Sequence, residues 1–108
     1  MNLRKPLLLM LGLQLVACTS LIQSTSLTDA YKMYERGDYE RTLALIARAE
    51  TVTEPTPDML AELTYLKAQT HERLGHAATA QSLYSYLAEQ HSQTQYGYLA
   101  SQRLSEGP

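Results

Sequence analysis

The residues best suited to catalysis or metal binding are one cysteine and three histidines in a chain of 108 residues. The segment HERLGH, from His71 to His76, places two histidines five positions apart, whereas the helical zinc motif H-E-x-x-H places them four apart. Five residues rotate a helix by about 140°, so we expect the two rings to lie on different faces. Gly75 should also end the helix between them. The sequence therefore predicts no zinc site here.

Other catalytic patterns are missing from the sequence. There is no Gly-x-Ser-x-Gly nucleophile elbow, no phosphate-binding glycine loop and no close run of acids suited to calcium. Charged residues make up 19% of the chain and the net charge is −2, so no basic surface points to nucleic acid. We therefore expect a protein that is not an enzyme, that binds no metal and no nucleic acid, and that has no cofactor.

The single cysteine, Cys18, follows a segment with the layout of a secretory leader. Residues 1–17 begin with MNLRKP, in which Arg4 and Lys5 are basic, and continue with the apolar run LLLMLGLQLVA. A membrane-spanning helix needs about 20 apolar residues, and this run is shorter and is interrupted by Gln14. This arrangement predicts a signal peptide over residues 1–17.

The residues Leu15-Val16-Ala17-Cys18 resemble a lipobox, the processing site of bacterial lipoproteins. The resemblance implies cleavage before Cys18, a diacylglyceryl group on its sulfur and an acyl chain on the freed amine. Two or more acyl chains give a lasting membrane anchor, whereas one chain binds only marginally. Because Thr19 and not Asp follows the cysteine, the resemblance implies a place in the outer membrane, facing the periplasm. The alternatives are an uncleaved anchor or a buried thiol in a cytosolic helix.

These features divide the chain into three segments. Residues 1–17 are the predicted signal peptide, residues 18–26 the lipidated cysteine with a short uncharged tether, and residues 27–108 a helical domain. A mature chain from Cys18 would lose Arg4 and Lys5 and keep seven basic against eleven acidic residues, so its formal side-chain charge would be −4.

Hydrophobic periodicity predicts five helices, over about 27–36, 38–52, 57–74, 76–91 and 93–105. Gly37 and Gly75 are expected just beyond the ends of the first and third helices. Thr56 with Pro57 predicts an N-cap followed by a first-turn proline, and Ser92 with its Gln three positions later predicts a capping box for the last helix. The apolar stripe expected on the second helix consists of Tyr39, Leu43, Ile46 and Ala47.

The two glycine turns suggest a repeat, and the first of them resembles the turn of tetratricopeptide (TPR) repeats. We call the separation in sequence from Gly37 to Gly75 the repeat spacing. Small residues fall at the expected sites: Ala30, Ala49, Ala68 and Ala80. The resemblance implies an all-α fold in which antiparallel helical hairpins stack as a short TPR-like solenoid, with two repeats over 27–91 and a C-terminal capping helix.

The chain departs from the TPR pattern in four ways. Its repeat spacing exceeds the roughly 34 residues of a TPR unit, and no tryptophan starts either repeat. Thr42 stands in place of the usual alanine, and Ala77 in place of the turn tyrosine. A generic helical bundle is the alternative.

Carrying the TPR pattern over by position implies a partner-binding face on the first helix of each pair. The residues expected there are Tyr31, Tyr34 and Glu35 in the first unit and Tyr65, Gln69, Glu72 and Arg73 in the second. Tyrosine suits recognition because it combines a large apolar ring with a polar tip. Each of these tyrosines could equally seal a contact between helices, and Tyr84 is expected in the core.

The function expected from these features is that of a non-enzymatic scaffold, lipid-anchored in the outer membrane. It would bind a periplasmic or outer-membrane protein in an envelope assembly concerned with the outer membrane, peptidoglycan, pili or secretion. A pilotin-like chaperone that delivers a secretin subunit to the outer membrane is the first alternative, and an envelope enzyme or metal binder is the second. Because solenoids usually need three repeats, a cap, a partner or self-association is implied.

Overall fold

The computed structural model describes the backbone of residues 4–108 and the side chains of residues 18–108. The side chains of the predicted signal peptide therefore lie outside the described residues. The described chain is helical throughout and contains no strand, which confirms the all-α class. The helices are α1 (Arg4–Glu35), α2 (Tyr39–Val52), α3 (Pro57–Arg73), α4 (Ala77–Gln90) and α5 (Gln95–Ser105).

The turns after α1 and α3 share one backbone geometry. Gly37 and Gly75 have φ values of 78° and 80°, in the left-handed region that glycine enters without a steric penalty. In the first turn Gly37 N–H donates to the Tyr34 carbonyl, and Asp38 N–H donates to the Met33 carbonyl. The second turn has the same two hydrogen bonds at equivalent positions. Both are Schellman motifs, so the predicted positions of the two glycines are confirmed.

Side-chain caps fix the starts of three helices. The Asp38 carboxylate accepts from Arg41 N–H, and the Thr56 hydroxyl accepts from Met59 N–H. At the last helix the N-cap is Thr94, whose hydroxyl accepts from Gly97 N–H at 3.0 Å. The predicted capping box at Ser92 is therefore wrong. Thr56 and Thr94 are separated by the repeat spacing, so α3 and α5 begin at the same position of the repeat.

The first helix begins well before the predicted start near residue 27. Helix α1 runs continuously through residues 18–26, the segment predicted to be a tether. Within it Gln23 and Ser26 are buried, and Gln23 Nε2 donates to the carbonyls of Ala49 and Thr53. Residues from Gln23 onward therefore belong to the packed domain, and no unstructured tether separates Cys18 from it.

The helices form two layers. Consecutive helices pack on each other and are joined by loops of three or four residues, which requires them to run antiparallel. In addition α3 packs on both α1 and α5, whereas α2 and α4 make no such contact in the described chain. We call the layer of α1, α3 and α5 the inner layer, because α3 contacts the other two helices of this layer, and that of α2 and α4 the outer layer.

The core repeats with the same spacing as the turns. Ile46, Leu63 and Leu87 are fully buried, and each such side chain contributes about 1.5–3 kcal/mol by leaving water. The buried residues that pair at the repeat spacing are Gln23 with Ala61, Ser26 with Thr64, Ala30 with Ala68, Thr42 with Ala80, Ile46 with Tyr84 and Ala49 with Leu87. Equivalent positions in the pair α1–α2 and in the pair α3–α4 are therefore buried alike.

Candidate functional site

Helices α1 and α3 are joined by a hydrogen bond between two half-buried side chains. The Tyr31 hydroxyl donates to Glu62 Oε1 at 2.9 Å. Burial raises the pKa of the Tyr31 phenol far above its ordinary value, and the neighbouring carboxylate raises it further. Tyr31 therefore stays neutral and acts as a donor that holds Glu62 on the inner layer.

A cluster of three tyrosine rings joins α3, α4 and α5. The ring centroid of Tyr65 lies 5.8 Å from that of Tyr84 and 5.6 Å from that of Tyr96. These spacings fall in the range in which aromatic pairs attract each other beyond their burial. Tyr84 is 3% exposed, as expected for a core residue, while Tyr65 and Tyr96 are half-buried. Tyr65 thus lies partly at the surface and partly in the contact between helices.

A second aromatic contact lies at the turn end of the inner layer, where α1 and α3 stop. The Tyr34 and Tyr39 rings pack edge to face at 5.5 Å between centroids. The Arg73 guanidinium lies 5.9 Å from the centroid of the Tyr34 ring, and its Nε donates to the Tyr34 hydroxyl at 3.3 Å. Tyr34 and Arg73, both expected on the partner-binding face, are therefore in contact.

Glu72 is the centre of the most connected polar group. Arg103 of α5 donates to both of its carboxylate oxygens, with a shortest distance of 2.7 Å, and the Tyr84 hydroxyl also donates to it. Burial acts to raise the pKa of Glu72, but the hydrogen bonds from Arg103 and Tyr84 outweigh it and hold that pKa below its ordinary value. The carboxylate therefore stays charged and ties α5 to α3.

Of the seven residues expected on the partner-binding face, five make the side-chain contacts described above. They are Tyr31, Tyr34, Tyr65, Glu72 and Arg73. Gln69 is half-buried on α3, and Glu35, the last residue of α1, is exposed. Each of these five residues touches a residue of another helix. The alternative interpretation, in which the tyrosines seal contacts between helices, therefore also holds in part. The surface expected to bind a partner is largely prearranged by internal contacts.

Sequence reasoning missed three residues of this surface: Glu62, Tyr96 and Arg103. Two of them, Tyr96 and Arg103, lie on α5, which the TPR resemblance treats only as a C-terminal capping helix. The threonine caps at Thr56 and Thr94, separated by the repeat spacing, would have revealed α5 as a third inner-layer helix. This signal was present in the sequence.

Cys18 lies on α1 as a free, exposed thiol. It precedes Thr56 by the repeat spacing, and so stands at the position that the caps of α3 and α5 occupy. An exposed side chain at this position leaves the sulfur accessible to modification.

The two histidines of HERLGH lie together, contrary to the expectation from helical rotation. Their Nδ1 atoms are 3.1 Å apart and their ring centroids 5.4 Å apart. The helical argument fails because the chain reverses at Gly75 and brings His76 back beside His71. Among the residues whose side chains are described, no group of three or more His, Cys, Asp or Glu residues is arranged to hold a metal ion.

Two further findings bear on function. Within the part of the chain that the structure describes, no helix has both the length and the apolar character needed to cross a membrane. Comparison of the chain with protein-family models, with curated proteins and with solved structures gives no match.

Proposed function

We propose that this chain is a non-enzymatic, lipid-anchored adaptor that mediates protein–protein interactions in a bacterial envelope assembly. Cys18 carries the diacylglyceryl and N-acyl lipid, and residues 1–17 are removed as a signal peptide. The helical domain is held at the outer membrane on its periplasmic side. Its partner is a periplasmic or outer-membrane protein of the outer-membrane, peptidoglycan, pilus or secretion machinery.

One observation carries the anchor part of this proposal, namely the position of Cys18 in the structural repeat. Thr56 and Thr94 cap α3 and α5, and Cys18 precedes Thr56 by the same spacing that separates the two threonines. Cleavage before Cys18 would therefore begin the mature chain at the start of a repeat unit. It would leave the packed part of α1, from Gln23 onward, complete.

The arrangement of the helices supports a TPR-like solenoid over a generic bundle. The two turns have the same hydrogen bonds, and buried positions recur at the repeat spacing. Within the inner layer α3 contacts both α1 and α5, while α2 and α4 do not contact each other, which is the layering of stacked helical hairpins. On this basis α5 occupies the place of the first helix of a third unit.

The outer surface of α1 also bears on self-association. On α1 the positions that match Leu63 and Leu66 of α3 are Thr25 and Thr28, both exposed and polar. A polar outer surface is typical of a terminal capping repeat. The proposal therefore does not require a second copy of the chain at this end.

The anchor is tested by Cys18→Ser, with Ser20→Ala as the matched control on the same exposed stretch of α1. We expect the control to fractionate with membranes and to show the mass of residues 18–108 plus acyl chains. Cys18→Ser should be unprocessed or released from the membrane. An unchanged mass and membrane fraction in Cys18→Ser would overturn the lipoprotein proposal.

The binding face is tested by a photo-crosslinking residue at Gln69 on α3, compared with one at Ser82 on α4. Gln69 is half-buried on the inner layer, and Ser82 is exposed on the outer layer. We expect the same envelope protein to be captured repeatedly at Gln69 and not at Ser82. Capture of an outer-membrane channel subunit alone would favour the pilotin-like alternative, and equal capture at both positions would contradict an inner binding face.

A further inference from the structure

The large apolar side chains that the domain leaves exposed are gathered at one end. Among residues 18–108 they are Leu21 at 67% exposure, Tyr98 at 61%, Tyr86 at 40% and Leu99 at 36%. Leu21 follows Cys18 by three residues, and Tyr86 precedes the last residue of α4 by four. Tyr98 and Leu99 lie within the first five residues of α5.

Contacts between the helices show that these positions share one end. Gln23 of α1, five residues after Cys18, donates to the carbonyl of Thr53, just after α2. Tyr86 lines a groove with Pro55 of the α2–α3 loop. A second groove joins Thr56 with Thr94, at the starts of α3 and α5. The end with the exposed apolar residues is thus the end at which Cys18 lies.

The opposite end has a different surface. It carries the two glycine turns, and its aromatic residues Tyr34 and Tyr39 are half-buried against each other. The exposed side chains of its first turn, those of Arg36 and Asp38, are charged. No large apolar side chain is exposed at this end of the described domain.

We propose that the Cys18 end of the domain, marked by Leu21, Tyr86, Tyr98 and Leu99, rests directly on the surface of a phospholipid bilayer. This inference rests on the proposed lipid anchor at Cys18, which brings this end to the membrane without an intervening tether. Tyrosine is enriched at the boundary between headgroups and hydrocarbon because its ring is apolar and its tip is polar. Leucine at the same level adds apolar area that leaves water on contact.

Charge indicates which lipids this end contacts. Glu54, Asp58 and Glu89 are exposed at this end, with Arg48 as the exposed cation nearby on α2. An acidic surface is repelled by anionic headgroups, whose attraction to proteins depends on basic clusters. The surface contacted is therefore zwitterionic, as in phosphatidylethanolamine, and the contact depends little on salt.

This placement orients the binding face. From Cys18 onward α1 runs away from the membrane, as α3 and α5 do from their first residues. Helix α3, with 17 residues, therefore rises roughly 25 Å. The contact between Tyr34 and Arg73 then lies at the top of the domain, and the groove lined by Thr56 and Tyr96 lies close to the bilayer.

Single tryptophan probes test this contact directly, because the chain has no tryptophan of its own. The lipidated chain with Tyr98→Trp, at the proposed contact, is compared with Tyr39→Trp, at the far end. Both are placed in phosphatidylethanolamine and phosphatidylcholine vesicles that contain lipids brominated near the headgroup. We expect quenching by the brominated lipid to be several-fold stronger for Tyr98→Trp. Equal quenching at the two positions would overturn the proposal.

Flotation of the same vesicles separates this inference from the proposed anchor. If the chain floats and Tyr98→Trp is no more quenched than Tyr39→Trp, the bilayer contact is wrong and the anchor stands. If the chain does not float, both are wrong. Adding Leu21→Ser and Leu99→Ser to the Tyr98→Trp chain should reduce its quenching without changing flotation, and unchanged quenching would contradict the contact. Quenching that appears only with anionic lipid would overturn the zwitterionic assignment.

Discussion

The Gln23 side chain of α1 donates a hydrogen bond of 3.0 Å to the backbone carbonyl of Ala49 on α2. The same nitrogen lies 3.2 Å from the carbonyl of Thr53. The last four carbonyls of a helix have no partner within it, so Gln23 caps the end of α2 from outside. A residue only five positions after Cys18 therefore stabilises the second helix.

This relationship predicts that Gln23→Ala destabilises the domain. Two carbonyls in a largely buried place would lose their donor, at a cost of about 1–3 kcal/mol. Urea unfolding followed by circular dichroism measures the change. Gln81→Ala, on an exposed position of α4, is the matched control and should leave stability within about 0.5 kcal/mol. A similar stability for the two variants would contradict a stabilising contact between Gln23 and the end of α2.

Because the two glycine turns have the same geometry, replacing either glycine with alanine should lower the stability of the domain by the same amount. Gly37→Ala and Gly75→Ala each place a Cβ on a backbone with φ near 80°, which costs about 1–2 kcal/mol per residue. No atom lies within 4 Å of either added Cβ, so conformation alone should set the loss. Thermal unfolding of the two variants should give matching shifts. A loss at one turn only would show that the turns are not equivalent in solution.

Gly97 is expected to be intolerant of substitution for a different reason. A Cβ at this position would lie 2.0 Å from the carbonyl oxygen of His91, and the backbone there cannot move aside cheaply. Gly97→Ala should therefore destabilise the domain by about 1–3 kcal/mol through overpacking. Ser101→Ala, exposed on the same helix, serves as the control in the same melting experiment. A Gly97→Ala domain as stable as this control would contradict the close approach of α5 to the α4–α5 loop.

The pair of histidines predicts a loss of stability in mild acid. Burial lowers the pKa of His71, and the nearby His76 and Lys67 lower it further, whereas Glu40 acts in the opposite direction. Just below the ordinary value of 6.5 the unfolded chain therefore binds more protons than the folded domain. Stability must then fall as pH decreases through this value.

Urea unfolding at about pH 7.5 and pH 5.5 measures this dependence. His71→Gln removes the titrating ring, so we expect the variant to lose less stability than the wild type over the same interval. Titrating groups that do not interact with His71 contribute equally to both chains, so the difference reports His71 together with its coupling to its charged neighbours. An identical loss in the two chains would exclude a proton linkage at this residue.

The helix ends show which parts of the fold local sequence can predict. The predictions for Gly37, Gly75 and Thr56 are confirmed, because a left-handed turn and an N-cap each depend on a few neighbouring residues. The predicted cap of the last helix is wrong, because Ser92 and Thr94 are both residue types that favour the N-cap position. Thr94 is used, and Gly97 lets the helix pass close to the His91 carbonyl.

The phase of a buried stripe is harder to predict than its period. On α2 the buried residues are Thr42, Leu45, Ile46 and Ala49, whereas Ala47 of the predicted stripe is exposed. Apolar residues lie on several sides of α2, so periodicity alone does not select the buried one. Thr42 can be buried because its hydroxyl donates to the Asp38 carbonyl at 2.8 Å, which removes the cost of its polar atom.

The sequence by itself determined the helical class, the positions of the glycine turns and the leader-like pattern that ends at Cys18, because each depends on short-range patterns. Only the tertiary structure decided that α1 is packed from Gln23 onward, that His71 and His76 meet, and that Arg103 holds Glu72. These contacts depend on where the chain reverses and which helices stack. Partners such as Arg103 and Glu72 are 31 residues apart, a separation at which local propensity carries no information.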